Sequence, residues 1–186
     1  MSTPGPRERL LEAARDLTYT HGMGVGVDAL LKTASVARRS LYEHFGGKDG
    51  LLAEVLRRTT AEDEKSYHRT MAAAGDDPRA RLLAIFDHLT DVVSRSDFRG
   101  CRYLAADLAL ADPDHPAHAI TRQYRADIHD LLEAELVHLG HPTPAQAADQ
   151  LHLLIEGLLA TAATRPGATP AQSARALAEH IIDARP

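Results

Sequence analysis

The side chains with the clearest chemical potential are six hydrogen-bonding residues concentrated in one short segment of the chain. Arginine, lysine, histidine, tyrosine and serine all donate to phosphate oxygens, and arginine also pairs bidentately with the edge of guanine. The alternative explanation is a solvated surface in which the arginines face water and the tyrosine and histidine are partly buried. The six residues are Arg38, Arg39, Ser40, Tyr42, His44 and Lys48.

Two short helices joined by a tight turn are needed to position these donors. Apolar residues recur at helical spacing on both sides of the turn, so the two helices are expected to pack against each other. The donors then remain exposed on the second helix, which has the dimensions to enter the major groove of B-DNA. The apolar positions are Leu30, Leu31, Ala34, Val36, Leu41 and Phe45.

The motif Leu41-Tyr42-x-His44-Phe45-x-x-Lys48 follows a first helix that ends in glycine, and it resembles the TetR family of bacterial repressors. The resemblance implies that Tyr42, His44 and Lys48 contact the DNA backbone and fix the register of the protein. Arg38 or Arg39, at the start of the recognition helix, is then expected to read a guanine, and Ser40 to add a hydroxyl contact.

Three positions depart from the family pattern, and all three lie at helix ends. The family usually has Ala-Gly-Val-Ser at the turn, whereas this chain has Ala34-Ser35-Val36-Ala37. Ser35 is expected to adopt the left-handed conformation that glycine takes more easily. Ala37 cannot cap the recognition helix through its side chain, which costs about 1 kcal/mol. Gly26 replaces the usual Thr or Ser cap of the preceding helix.

The distribution of charge reconciles an acidic chain with DNA binding. The 186 residues carry a net charge of −5, but residues 1–50 contribute +1 (seven Lys/Arg, six Asp/Glu) and residues 51–186 contribute −6 (fourteen and twenty). Residues 31–48 have four basic side chains against Glu43, a local charge of +3. This asymmetry directs the N-terminal part toward phosphate, although tight binding would need two such parts together.

The sequence predicts a cytoplasmic protein without membrane contact. No apolar run approaches the roughly 18 residues of a membrane helix, and Met1–Arg7 has no apolar signal-peptide core. The single cysteine, Cys101, excludes an intramolecular disulfide. Cys101 lies near Arg99 and Arg102, which would favour the thiolate of a redox sensor, but a small core residue is the favoured interpretation.

Helical periodicity extends through almost the whole chain, and no segment shows the alternation of a half-buried strand. We therefore expect an all-α protein of about nine helices. Residues 1–50 are expected to form a helix-turn-helix DNA-binding domain, and residues 51–186 a ligand-binding and dimerisation domain. The helices expected outside the helix-turn-helix are Arg7–Thr20, Asp49–Ala74, a helix starting at Pro78, Tyr103–Leu110, Ala117–Leu139, Ala145–Thr164 and Pro170–Ala184.

The C-terminal part is expected to hold an effector pocket and a dimer interface. The resemblance implies a largely apolar pocket between helices, although core packing explains the same residues; its candidate lining is Phe86, Leu89, Val93, Cys101, Leu104, Leu108, Tyr124, Ile128 and Leu154. Two apolar stripes on the last two helices are expected to pair in an isologous four-helix interface. Their residues are Leu151, Ile155, Leu158, Leu159, Leu177 and Ile181.

The sequence thus predicts a ligand-responsive transcriptional repressor that binds a near-palindromic operator in double-stranded DNA as a homodimer and is released by a small, largely apolar effector. It predicts neither enzymatic activity nor a metal or cofactor. Two alternatives stay open: a metal-dependent hydrolase that uses His115 and His118 of the loop 112–118, and a helical DNA-binding or adaptor protein without an effector. The loop spacing matches no established ligand signature and is typical of a helix N-terminus.

Overall fold

The computed structural model describes residues 4–165 and 167–184, so Met1–Thr3 of the N-terminal segment lie outside the described part. The described residues form nine α-helices and no strand, which confirms the expected all-α fold. The helices are α1 (Pro6–His21), α2 (Val27–Ala34), α3 (Arg38–Phe45), α4 (Lys48–Ala73), α5 (Pro78–Val93), α6 (Arg102–Ala109), α7 (Pro116–Leu139), α8 (Pro144–Thr164) and α9 (Ala168–Ile182).

Helix ends follow proline and glycine, as the sequence predicts. Pro6, Pro78 and Pro144 lie in the first turn of α1, α5 and α8, where the missing N–H is not needed. Gly22 and Gly46 follow the last residues of α1 and α3 with positive φ, and the N–H of each bonds a carbonyl of the preceding turn. Local sequence therefore sets most helix boundaries to within about two residues.

The chain divides into two compact units. The first contains residues 1–61 and 102–123, and the second contains residues 62–101 and 124–186. The first unit thus joins α6 and the start of α7 to the N-terminal helices, a different division from the one expected at residue 50. Helices α4 and α7 each continue from one unit into the other.

The core of the first unit is aliphatic and holds the helix-turn-helix together. Leu10, Leu30, Leu41 and Leu51, from α1, α2, α3 and α4, have no exposed surface. Each buried leucine stabilises the unit by about 1.5–3 kcal/mol relative to an exposed side chain. One leucine from each helix therefore fixes the mutual arrangement of α1 to α4.

Helices α5, α8 and α9 pack together in the second unit. Their buried faces are aliphatic, with Phe86 as the largest fully buried side chain. Arg81 on α5 makes a bidentate ion pair with the buried Glu135 on α7, at 2.8 and 2.9 Å. The guanidinium satisfies both carboxylate oxygens, so the charge of Glu135 is compensated where water is scarce.

No helix within residues 4–165 and 167–184 is both long and apolar enough to cross a bilayer.

The turn between α2 and α3 has the strain that the sequence predicts. Ser35 ends α2 in the left-handed region, with φ 51° and ψ 49°, and it is the one non-glycine residue with positive φ in the described chain. Its backbone N–H and that of Val36 bond carbonyls of α2, at 3.1 Å each. Ala37 starts α3 without a side-chain cap, as expected.

Replacing Ser35 with glycine should stabilise the first unit by about 1 kcal/mol, because glycine adopts this conformation without the Cβ penalty. Thermal unfolding followed by circular dichroism would measure the change. The matched control is Ser94→Gly: Ser94 also ends a helix but has φ −80°, so glycine should give no stabilisation there. Equal effects of both substitutions would contradict the assignment of strain to Ser35.

Candidate DNA-reading surface

Helix α3 presents most of the predicted donors to solvent. The side chains of Arg38 and Arg39 are 54% and 86% exposed, and Tyr42 and His44 are exposed as well. Leu41, in contrast, is completely buried. Because α3 has one buried face and one polar face, its donors are available to an external partner.

Each of the two arginines already has a carboxylate partner within the unit. Arg38 Nη2 lies 2.5 Å from Asp28 Oδ1 of α2, and Arg39 Nε lies 2.5 Å from Glu43 Oε1, one turn along α3. All four side chains are at least half exposed, so solvent screens both pairs and each contributes no more than about 1 kcal/mol. A ligand that offers better acceptors can therefore displace the carboxylates.

Lys48 and Ser40 are less accessible than the other predicted contacts. Both are half-buried. The Lys48 ammonium donates to the Met23 carbonyl at 3.0 Å, which ties the start of α4 to the turn between α1 and α2. A phosphate contact by Lys48 would have to share the ammonium with this carbonyl, since an ammonium has three donors.

The first turn of α4 runs directly against the end of α3. A Cβ added to Gly50 would lie 1.9 Å from the Phe45 carbonyl oxygen, far inside contact distance. A side chain at position 50 would therefore force the backbone of one helix to move. This close approach is a constraint on the placement of α3 that the motif itself does not reveal.

Two ion pairs connect α1 to α4 in the first unit. Arg58 donates to both carboxylate oxygens of Glu8, and Arg7 Nη2 lies 2.7 Å from Glu54 Oε1. The guanidinium of Arg58 holds the pKa of Glu8 below its usual range. Arg7 also lies over the Phe45 ring, 5.5 Å from its centroid, and so links α1 to the last residue of α3.

The loop before α7 has structural partners instead of a metal-binding geometry. His115 Nδ1 accepts from the Ala117 N–H at 3.1 Å, and its buried Nε2 lies 3.5 Å from Asp49 Oδ1. His118 Nδ1 lies 2.9 Å from Asp107 Oδ1, and its Nε2 lies 3.1 Å from the Leu110 carbonyl oxygen. Neither histidine belongs to a metal-compatible group among the described residues.

The predicted pocket residues fall into both compact units. Leu104 and Leu108 belong to the first, whereas the other seven belong to the second. Leu108 is 78% exposed, which is incompatible with the wall of a closed cavity in this chain. Cys101, Leu104 and Leu154 are half-buried; the buried members are Phe86, Leu89, Val93, Tyr124 and Ile128.

Sequence reasoning missed a polar group inside the second unit. Tyr67 is buried and hydrogen-bonded to Tyr124, and its ring lies edge-on to His88 with 5.7 Å between centroids. Burial raises the pKa of Tyr67 far above its ordinary value and lowers that of His88, so both are neutral at physiological pH. Tyr67 and His88 have no sequence motif that distinguishes them from the other residues of α4 and α5.

The predicted dimer stripe on α8 needs correction. Leu151, Ile155 and Leu158 are at most 4% exposed within the single chain, so they fill its own core and offer no surface to a partner. The reason is that α8 is apolar on more than one face, and the sequence does not say which face turns inward. Leu159 and Ile181 are half-buried, and Leu177 of α9 is 52% exposed.

Leu153 of α8 is 73% exposed, and the sequence did not identify it as a surface residue. Small exposed residues follow it at helical spacing, at Gly157 and Ala160. On α9, the exposed polar residues Ser173 and His180 flank Leu177 at helical spacing. The exposed apolar surface of α8 and α9 therefore centres on Leu153 and Leu177.

A buried three-helix core that presents an exposed, basic recognition helix defines a helix-turn-helix DNA-binding protein. A model of the tetR family of bacterial regulatory proteins matches residues 10–55, and one of the C-terminal part of BetI-type transcriptional repressors matches residues 78–185. The chain belongs to the tetR family and is a transcriptional regulator.

Relatives are similar over nearly the whole chain. The regulator BetI of Stenotrophomonas maltophilia is 31% identical and covers 97% of this chain and 92% of its own. The regulator YjdC of Escherichia coli is 27% identical, with 95% and 93% covered. These relatives are regulators and not enzymes, so the hydrolase alternative falls.

Solved structures agree with the fold along the same length. A TetR-family regulator from Streptomyces coelicolor superposes with a TM-score of 0.86 at 26% identity, covering 95% of this chain and 94% of its own. A regulator described as putative tetR-type, from Streptomyces avermitilis, is 36% identical with a TM-score of 0.77, covering 95% and 99%. The sequence comparisons and the structural comparisons therefore lead separately to the same family and the same fold.

The stability of the first unit should depend on pH through His118. The hydrogen bond to Asp107 raises the pKa of His118 above its ordinary value of 6.5. Because the folded pKa is raised, the stabilisation is complete below about pH 6.5 and is lost as pH rises through the folded pKa. His118→Gln should therefore lower the melting temperature more at about pH 6 than at about pH 8. Melting curves of His68→Gln, an exposed histidine on α4, serve as control; parallel pH profiles of the two variants would contradict the prediction.

Proposed function

We propose that this regulator binds a near-palindromic operator as a homodimer, represses transcription there, and is released by a small, largely apolar effector. The observation that carries the DNA-binding part is the exposed polar face of α3, opposite the buried Leu41. A recognition helix held in this way fits the major groove of B-DNA.

Arg38 and Arg39 are the proposed base-reading residues. Their carboxylate partners, Asp28 and Glu43, hold the guanidinium groups in place before DNA arrives. Guanine O6 and N7 can accept from a guanidinium in bidentate geometry and so replace the carboxylate contact. Glu43 repels phosphate unless its carboxylate stays paired with Arg39 or accepts from a cytosine amino group.

Tyr42 and His44 are the proposed backbone contacts, with Ser40 and Lys48 as secondary ones because both are half-buried. These groups donate to phosphates regardless of the base sequence, so they would fix the register of α3 in the groove. The local charge of +3 in residues 31–48 allows only a few phosphate contacts per chain. Two chains acting together are therefore required for tight binding at physiological salt.

The proposed dimer surface is the exposed side of α8 and α9. Leu153 and Leu177 provide its apolar centre, and the small residues Gly157 and Ala160 let a partner helix approach closely. Because both helices belong to one chain, a two-fold axis would generate an isologous four-helix interface. This proposal replaces the inward-facing Leu151, Ile155 and Leu158 and keeps the outer α9 position Leu177.

The proposed effector site lies in the second unit. Its buried residues are largely apolar, including Phe86, Leu89 and Ile128, with the hydroxyls of Tyr67 and Tyr124 as polar groups. Such a lining suits an apolar molecule that carries one or two hydrogen-bonding atoms. Recognition of such an effector needs no carboxylate or guanidinium from the protein.

Helices α4 and α7 are the proposed connection between effector and DNA. Each runs without interruption from the second unit into the first. An effector that prefers a different position of either helix would change the spacing of the two recognition helices in the dimer. Its differential affinity for the two states sets the loss of operator affinity, of the order of 1–3 kcal/mol.

Removing one reading arginine should change specificity as well as affinity. Arg38→Ala or Arg39→Ala should cost about 1–3 kcal/mol of operator binding and relax the preference at one symmetric operator position. Operator selection from a random DNA library, followed by binding curves, would measure both effects. Arg15→Ala, which removes an exposed arginine of α1 outside the recognition helix, is the charge-matched control. Unchanged base preference in both α3 variants would contradict the assignment.

Charged substitutions at the exposed leucines should dissociate the dimer without unfolding the chain. Leu153→Asp with Leu177→Asp would put unpaired charge into the interface, whereas each site is open to water in a single chain. Sedimentation velocity would report the assembly state and circular dichroism the fold. Leu108→Asp, at a leucine of α6 that is at least as exposed as the other two, should leave the dimer intact. A folded double variant that still sediments as a dimer would place the interface elsewhere.

A further inference from the structure

Four side chains from α7 and α8 form a cluster that neither DNA reading nor the effector site uses. His129, Asp130 and Glu133 come from α7, and Asp149 comes from α8; together they are the His129 cluster. One ligand atom each from His129, Asp130 and Glu133 can be chosen so that all three lie within 4.8 Å of one another. The cluster lies within the second compact unit.

The two ring nitrogens of His129 have different surroundings. Nε2 lies 3.1 Å from Asp149 Oδ1, within hydrogen-bond distance. Nδ1 lies 3.6 Å from Asp130 Oδ1 and 3.9 Å from Glu133 Oε2, too far for hydrogen bonds. A proton on Nε2, beside Asp149, leaves Nδ1 as a lone-pair nitrogen 3.6 and 3.9 Å from the two carboxylate oxygens.

A nitrogen lone pair and two carboxylates this close to one another repel each other. A divalent ion between them would convert this repulsion into three coordinate bonds. Bonds of about 2.0–2.1 Å in tetrahedral geometry need ligand atoms roughly 3.3–3.4 Å apart, so small side-chain movements are sufficient. Asp130 is 79% exposed and Glu133 37%, so both carboxylates are free to make them.

We propose that His129 Nδ1, Asp130 and Glu133 bind a divalent transition-metal ion of the Zn²⁺ class. One imidazole nitrogen with two carboxylate oxygens selects Zn²⁺ or Co²⁺ over Mg²⁺ and Ca²⁺, which prefer oxygen ligands alone. Water completes the coordination shell on the exposed side.

Asp149 is a positioning residue in this site and not a ligand. By accepting from Nε2–H, Asp149 fixes the tautomer and the ring orientation of His129. Because Asp149 belongs to α8, the ion is coupled through the imidazole to the packing of α7 on α8. Metal binding should therefore stabilise the second unit by mass action.

The test is a titration of Zn²⁺ or Co²⁺ into the full chain, prepared without a histidine tag. Calorimetry measures metal binding, and the visible spectrum of Co²⁺ reports its coordination. Wild-type protein should bind one equivalent more tightly than any other site and melt at a higher temperature with Zn²⁺. His129→Gln and Glu133→Gln should lose this equivalent and the shift in melting temperature. Asp149→Asn should bind about 10–100-fold more weakly, because the orienting acceptor is gone.

The control is His68→Gln, which removes an exposed histidine of α4 outside the cluster and should retain the site. Melting curves with a chelator establish that each variant folds before metal is added. Absence of the tight equivalent in wild-type protein, or its persistence in both His129→Gln and Glu133→Gln, would overturn the proposal. Operator binding is not part of the readout, so the result does not depend on the proposed repressor function.

Discussion

The recognition helix α3 has only eight residues, and a helix of this length does not form by itself in water. Its existence depends on the burial of Leu41 among leucines from α1, α2 and α4. The same contact turns the opposite face, with Arg39 and Tyr42, toward solvent. Formation of the helix and exposure of its donors are therefore consequences of one packing interaction.

The ends of α2 and α3 are weak where the core is strong. Ser35 adopts a left-handed conformation, and neither Gly26 nor Ala37 supplies a side-chain cap. Together these features lower the free energy of unfolding of the first unit by an amount comparable to what the burial of one leucine contributes. The aliphatic core and the Glu8–Arg58 ion pair offset this cost, so a less regular turn is compatible with a correctly placed reading helix.

Charge is used differently in the two compact units. In the first, carboxylates hold Arg38 and Arg39, the proposed base-reading residues, through exposed, easily exchanged pairs, and Asp107 contacts His118 at hydrogen-bond distance. In the second, Arg81 compensates the buried Glu135, whereas carboxylates surround His129 with an excess of negative charge. The exposed pairs suit reversible contact with DNA, and the buried pair suits permanent structure. The excess of carboxylates around His129 is the physical basis of the proposed cation site.

The sequence by itself determined the helices and the DNA-reading segment, because proline, glycine and apolar spacing act locally and the motif that ends at Lys48 places its donors at fixed offsets. Tertiary structure decided what depends on distant partners. Helix α8 carries apolar residues on more than one of its faces. Only its packing against α5 and α9 therefore shows that Leu158 points inward and Leu153 outward. Likewise, His129 and Asp149 lie on different helices, and their 3.1 Å contact exists only once α7 and α8 pack, since side chains 20 positions apart have no local interaction that the sequence could reveal.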